Sequence, residues 1–182
     1  MAIYIVLGII LIIVFWVIGT YNALVKLRER VRNEWKQVDV QLQKRFDLIP
    51  NIVSTVKGYA QHEKTVFEEI TKARAQVSEA ATPEDKIKAE NMLSAGVSRL
   101  FAVAENYPDL KANTNFLELQ SELSKIESKI ADARMFYNDI VMRLNAKIQT
   151  FPSNLIAGAF GFKQEVYFNV DEEARKNVKV EF

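Results

Sequence analysis

The chain has no cysteine and one histidine, His62. Without cysteine there are no disulfides, no thiolate metal sites and no cysteine nucleophile. One histidine cannot furnish the two Glu-x-x-His pairs of a di-iron bundle. Nor can it furnish a histidine-rich zinc site or a two-histidine facial triad. "HEKTV" lacks the second histidine of a zincin, and no glycine-rich phosphate loop or G-x-S-x-G is present. Ser and Lys are abundant, but no pair of them stands out from surface composition. The expectation is no catalytic residue, no metal ligand and no cofactor, with His62 a solvated residue at a helix bend after "KGYAQ". Charge of one sign is also lacking: 24 Lys and Arg face 23 Asp and Glu, a net +1. A dedicated nucleic-acid binder would show a basic excess, so no nucleic-acid partner is expected. Only four prolines and six glycines interrupt 182 residues, which leaves room for long helices. At 49% apolar residues, a core can be built.

What is present begins with AIYIVLGIILIIVFWVIGT, residues 2–20, without a charge. At about 1.5 Å per residue it reaches roughly 30 Å, the thickness of a bilayer's hydrocarbon core. Tyr4, Trp16 and Tyr21 sit where interfacial aromatics belong. A cleaved signal peptide fits poorly, with no basic n-region, too long an apolar run and no A-x-A site. Residues 1–21 therefore read as a single transmembrane anchor. Lys26, Arg28, Arg30, Arg32 and Lys36 follow the run and no Lys or Arg precedes it. The positive-inside rule then predicts an N-terminus outside and the remainder in the cytoplasm. The same cations would attract anionic lipid, or form a solvated helix face with Glu29 and Glu34.

Residues 22–150 read as a helical bundle. Leu24, Leu27, Val31, Trp35, Val38, Leu42, Phe46, Ile49, Val53, Val56 and Ala60 recur at spacings of three and four, one buried stripe. After a charged turn the stripe resumes at Val66, Phe67, Ile70, Ala73 and Val77. Thr82, Pro83, Glu84 and Asp85 make a helix start: a capping Thr, proline at the first position and acids in the first turn. Its helix buries Ile87, Leu93, Val97, Leu100 and Phe101 and ends near "NYPDLKANT". The last helix carries Phe116, Leu119, Leu123, Ile126, Ile130, Ala133, Phe136, Ile140, Leu144 and Ile148, and stops before Phe151-Pro152. Pro50, between Asp47 and Asn51, requires a kink or a restart. Asp47 could cap a restarted helix, and Asn51 could cover a freed carbonyl. The stripe keeps its phase through Pro50, which favours a kink. Either arrangement returns residue 150 to the membrane end.

Gln37, Asp39, Asp47, Asn51, Asn138 and Asn145 flank or interrupt the stripes. They read as a binding groove or, preferably, as cross-helix hydrogen bonds that fix register. Residues 151–182 form a tail. Leu155, Ile156, Phe160 and Phe162 are apolar in a segment too short to span. They either pack over the membrane-proximal end of the bundle, with Phe160 buried, or dip into the bilayer interface; packing is the preferred expectation. "EVYFNV" and "VKVEF" alternate, so each is expected to be extended.

The stretches "YNALVKLRERVRNEW" (21–35), "VDVQLQKRFDLIPNIVSTVKGYAQHE" (38–63), "ARMFYNDIVMRLNAKIQTFPSNLIAGAFGF" (133–162) and "YF" (167–168) together resemble the LemA family. Phe46 stands where a tyrosine is commoner, and Asn177 where proline is frequent. The resemblance covers nearly the whole chain. It implies an all-α protein in which a transmembrane helix continues into an antiparallel four-helix-type bundle with a short extended tail. It implies no established reaction. The family includes a magnetosome-associated member, and its genes often neighbour one for a membrane zinc protease. Two functional readings follow. One is a membrane-anchored scaffold whose partners are the lipid bilayer, other proteins or its own copies. The other is an accessory or adaptor subunit of an envelope enzyme such as a membrane protease. Trp35, Asp39, Asp47, Pro50, Asn51, Asn138, Asn145, Phe160 and Phe162 are the candidate structural or partner-binding residues.

Overall fold

The computed structural model describes residues 1–169. The "VKVEF" segment and Asn177 lie outside the described residues. Among those residues there are helices and no strands: α1 Ala2–Lys57, α2 Lys64–Glu79, α3 Pro83–Ala104, α4 Pro108–Lys111, α5 Thr114–Gln149 and α6 Ser153–Ala159. Two compact units emerge, residues 1–38 with 133–167, and residues 39–132 with 168–169.

The second unit is a four-helix bundle. Its core takes Ile49, Ile52 and Val56 from α1, Ile70, Ala73 and Val77 from α2, Leu93, Val97 and Leu100 from α3, and Phe116 and Leu123 from α5. The periodicity of each segment supplies one apolar face, and the four faces meet because none is stable exposed to water. Chain direction alternates. The turn at 58–63 reverses α1 into α2, and three residues reverse α2 into α3. Lys86 of α3 pairs with Asp39 of α1, and Ser94 lies 2.7 Å from Arg45, so α3 runs parallel to α1. The rings of Phe101 and Phe116 lie 5.9 Å apart, which sets the end of α3 beside the start of α5.

Local signals explain the boundaries. The Thr82 hydroxyl accepts the Asp85 amide at 3.1 Å and donates to the Asp85 carboxylate at 2.6 Å, with Pro83 at the first helical position. That reciprocal cap satisfies amides that a helix start leaves unpaired. Asn113 does the same for α5, its Oδ1 accepting the Phe116 amide at 3.0 Å. Gly96 permits close approach of α3 to α2, since a Cβ there would come within 3.2 Å of Ile70 Cγ1.

The first unit contains α1 to Val38, α5 from Ala133, α6 and the segment to Tyr167. Leu24, Val31 and Val38 of α1 and Tyr137, Val141 and Leu144 of α5 are among its buried side chains. Residues 3–16 contribute no such core; all of their large apolar side chains are exposed.

α1 continues through Pro50, and the chain first reverses at 58–63. Asn51 is exposed, and its carbonyl accepts the Thr55 hydroxyl at 2.9 Å. Three expectations need correction. In α1 the buried position is Arg45, with Ile52 beyond it, whereas Phe46 and Val53 border the core. In α5 the stripe passes through Tyr137 and Val141, and Phe136 is 57% exposed. Both slips arise because steps of three and four can be taken in either order along a helix. A charged or hydroxyl-bearing residue gives no apolar cue to its inward position. Finally, the tail is not extended from its start: Ser153–Ala159 is helical.

Pro50 sits inside a continuous helix, where it removes a backbone donor and crowds the preceding turn. Pro50→Ala is expected to raise stability by up to about 3 kcal/mol with the fold unchanged. Denaturant melts of the two proteins in the same detergent check this.

Candidate functional site

In the first unit, the chain after α6 lacks helix or strand partners. Its backbone groups still need hydrogen bonds. Asn145, on the inward face of α5 and 3% exposed, supplies two of them. Its Nδ2 donates to the Glu165 carbonyl and its Oδ1 accepts the Glu165 amide, both at 2.9 Å. One amide side chain thus imitates a strand partner. The Tyr137 hydroxyl donates to the Val166 carbonyl at 2.9 Å. The ring of Tyr137 lies 5.3 Å from that of Trp35, which ties the clamp to α1. Burial, and then the nearby Glu165 carboxylate, push the Tyr137 phenol up to about 12. The phenol therefore stays protonated and remains a donor.

Closer to the apolar run, the tail packs on α1 through aromatic rings. Tyr21 lies 4.8 Å from Phe160 and 5.9 Å from Phe162. The Arg28 guanidinium lies 5.0 Å from the Phe162 ring centre. Phe160 remains 56% exposed, so the expectation of a buried Phe160 is corrected. α6 turns Ile156 and Ala157 inward and leaves Leu155 and Phe160 outward. The Ser153 hydroxyl closes the turn from α5 by donating to the Lys147 and Thr150 carbonyls at 2.7 and 2.8 Å.

The five sequence-predicted cations do not behave alike. Arg28 is occupied by Phe162, and Arg32 pairs with Glu29 at 2.8 Å. Lys26, Arg30 and Lys36 are exposed and have no carboxylate partner among the described residues. The polar candidates are also dispersed. Asp39 pairs with Lys86, Asp47 accepts Gln43 Nε2 at 2.8 Å, and Asn138 is half-buried on α5. His62 is exposed in the α1–α2 turn. Among the described residues, no group of three or more His, Asp or Glu side chains is arranged to hold a metal ion.

The strongest electrostatic feature of the second unit was missed in the sequence. Arg45 has no solvent exposure. It forms an ion pair with Glu90 of α3, which is 1% exposed. Its Nη1 lies 2.9 Å from Glu127 of α5 and 2.7 Å from the Ser94 hydroxyl, and its Nη2 reaches the Glu90 carbonyl at 3.3 Å. Desolvation lowers the Arg45 pKa, but the Glu127 and Glu90 carboxylates outweigh it, and the net shift is upward. The arginine stays charged. Its available signal was position: Arg45 lies three residues after Leu42 and four before Ile49, within the buried stripe. This is a hydrogen-bonded lock between three helices, buried at Arg45 and Glu90 and open to solvent at Glu127.

Two outcomes follow. Arg45→Met leaves the Glu90 carboxylate buried without its partner and is expected to cost about 3–5 kcal/mol. Adding Glu90→Leu should recover most of that loss in denaturant melts. For Tyr137, an unfolded phenol ionises near 10, about two units below the folded value. The neutral phenol stabilises the fold fully below about pH 10, and this contribution is lost as pH climbs towards about 12. Melts from about pH 8 to about pH 12 should show a smaller alkaline decline for Tyr137→Phe than for the unsubstituted chain.

The chain is 24% identical over 165 residues to a protein LemA of Metamycoplasma hominis, covering 90% of this chain and 75% of that protein. It is 25% identical over 174 residues to magnetosome protein MamQ 2 of Paramagnetospirillum magneticum, covering 81% of this chain. MamQ of Magnetospirillum gryphiswaldense is 23% identical over 175 residues, covering 82%. The alignment spans only 64% of each MamQ protein's length. The LemA family profile matches residues 34–182, which starts after the apolar run. The chain belongs to the LemA family, as a membrane-associated helical protein.

Proposed function

We propose that this protein is a membrane-anchored helical scaffold that binds protein partners, its own copies among them, at the cytoplasmic face of the cell membrane. The observation that carries this reading is an exposed apolar face on α5. Met135, Phe136 and Met142 are 60%, 57% and 51% exposed. Met135 and Met142, seven residues apart, share one helix face, and Phe136 flanks it. Exposed apolar side chains clustered on one helix mark a contact surface more often than scattered ones do. Methionine suits such a surface because its unbranched side chain adapts to the partner.

The anchor supports the same reading. Residues 2–19 are long and apolar enough to cross a bilayer, and none of them is buried in the structure. The cations that follow favour retention of that flank on the cytoplasmic side. An orientation with the N-terminus outside is part of the proposal. The tail lies at the membrane-proximal end in this arrangement, because Phe160 packs on Tyr21 at the end of the apolar run. The names of the relatives carry no reaction, and the features described above are contacts between helices, rings and backbone. The proposal is therefore of an interaction protein and not of an enzyme.

The experiment is cross-linking of the full chain in membranes, followed by detergent purification and mass spectrometry. Self-linked species or stoichiometric partners are expected, and Phe136→Glu should reduce them at least roughly fivefold, since it places a charge in an apolar contact. Thermal unfolding of the variant should be nearly unchanged, because Phe136 is mostly exposed. Co-purification of one membrane enzyme in equal amount would replace the scaffold reading with that of an adaptor subunit. A purely monomeric, partnerless chain that is indifferent to Phe136→Glu would overturn both.

A further inference from the structure

A hollow of about 380 Å³ opens in the first unit between the end of the apolar run and the end of α5. Its walls include Trp16 and Thr20 of α1, Arg143, Lys147 and Thr150 of α5 and its end, and Phe151 beyond. Two cations line it and no carboxylate does. Asp139 engages Arg143 at Nε, at 3.0 Å. Among the described residues Arg143 pairs with no second carboxylate, and Lys147 pairs with none. Trp16 and Phe151, 40% and 75% exposed, add apolar surface to the hollow beside its two cations.

A structural reading of each part exists. Lys147 lies in the last turn of α5, where a cation is favoured by the helix's own dipole. Arg143 belongs to an ordinary i,i+4 ion pair. Neither accounts for the combination. Helix-end and surface cations are free to sit over solvent. Here they border one concavity with a tryptophan from the apolar run, and the volume falls in the range of ligand sites. Four residues, about 6 Å of helix, separate Trp16 from Thr20. That short span crosses from the acyl boundary, where tryptophan settles, into the headgroup layer. A ligand with one anionic group and attached apolar chains matches this sequence of walls.

We propose that the hollow is a binding site for the phosphate and glycerol of an anionic phospholipid in the cytoplasmic leaflet. The Arg143 terminal nitrogens and the Lys147 ammonium hold the phosphate oxygens, the Thr150 side of the hollow faces the glycerol, and Trp16 and Phe151 flank the first part of the acyl chains. The site rests on the anchor described above, since only a chain threaded through the bilayer at residues 2–19 presents the hollow at headgroup depth. Its consequence for a scaffold is specific: the lipid fixes the depth and rotation of the first unit against the membrane.

The test uses the full chain in nanodiscs of phosphatidylglycerol mixed with phosphatidylcholine, released gently and weighed by native mass spectrometry. The unsubstituted chain should retain one phosphatidylglycerol with a preference of roughly ten- to thirtyfold, the scale of two cations acting near a membrane surface. Arg143→Gln with Lys147→Gln should lose the preference, whereas Lys26→Gln with Arg30→Gln, an equal change of charge on α1, should keep it. Lys147→Arg, which keeps the charge, should retain the lipid and controls for folding. Inorganic phosphate at millimolar concentration should not displace the lipid; full displacement would assign the site to a soluble anion and overturn the proposal. Equal lipid retention by the two double variants would overturn it as well. Failure of the unsubstituted chain to enter nanodiscs would sink the anchor and the lipid site together, and entry without preference would sink the site alone.

Discussion

A guanidinium without solvent access in an apolar bundle must be neutralised where it stands, and this requirement organises the second unit. Arg45 meets it with carboxylates from two other helices and a hydroxyl from one of them. An apolar contact between two helices tolerates sliding, because one methyl group resembles the next. The Arg45 contacts do not. Moving α3 by one residue would withdraw Glu90 and Ser94 from the fork and leave a buried charge unpaired. The Asp39–Lys86 pair repeats the same parallel register of α1 and α3 nearer the boundary of the unit. The apolar stripes supply most of the driving force for association, and the buried ion pair selects one alignment among those the stripes allow.

A comparable logic operates in the first unit with neutral groups. An irregular segment laid along a helix cannot use the helix's backbone donors, which are already engaged. Side chains must therefore do the work of a neighbouring strand. Asn145 is suited to this because its amide carries a donor and an acceptor at the spacing of a peptide group. Tyr137 adds a second donor whose burial keeps it protonated. Once the backbone is held at Glu165 and Val166, Phe160 and Phe162 have rings within reach on α1 at Tyr21, and Arg28 covers the second of them. Holding this tail is the role that the structure gives to Asn145 and Arg28, one expected to fix helix register and the other to meet lipid.

The exposed apolar surface is unevenly spread. Scattered exposed residues such as Val40 and Met92 in the second unit are ordinary for a folded protein. In the first unit, exposure is concentrated in three places: the 2–19 run, the α6 turn with Phe151, Leu155 and Phe160, and the Met135–Met142 face. Water does not stabilise such concentrations. In the proposed arrangement the first meets the bilayer, the second its interface and the third another protein surface. The membrane and partner readings therefore draw on the same unit of the chain.

Local patterns carried much of this in the sequence alone. A charge-free run of bilayer length, stripes at spacings of three and four, and the Thr82-Pro83-Glu84-Asp85 cap each act within a few residues, so their outcome is written in consecutive letters. The all-α class, the long first helix through Pro50, the start of α3 and the stop before Pro152 were legible for that reason. What required tertiary structure was the identity of inward polar residues. Arg45, Tyr137 and Asn145 lie inside because partners distant in the chain, Glu90, Glu127, Val166 and Glu165, complete their hydrogen bonds. Periodicity read by hydrophobicity passes over Arg45 in favour of Phe46, and over Tyr137 in favour of Phe136. The basic hollow was hidden for the same reason. Trp16 and Lys147 are far apart in sequence, and only the antiparallel return of α5 brings them to one wall. Short-range sterics and patterning determine where helices form, whereas a buried charge or an occupied backbone donor depends on which helices meet, and that is decided only by packing.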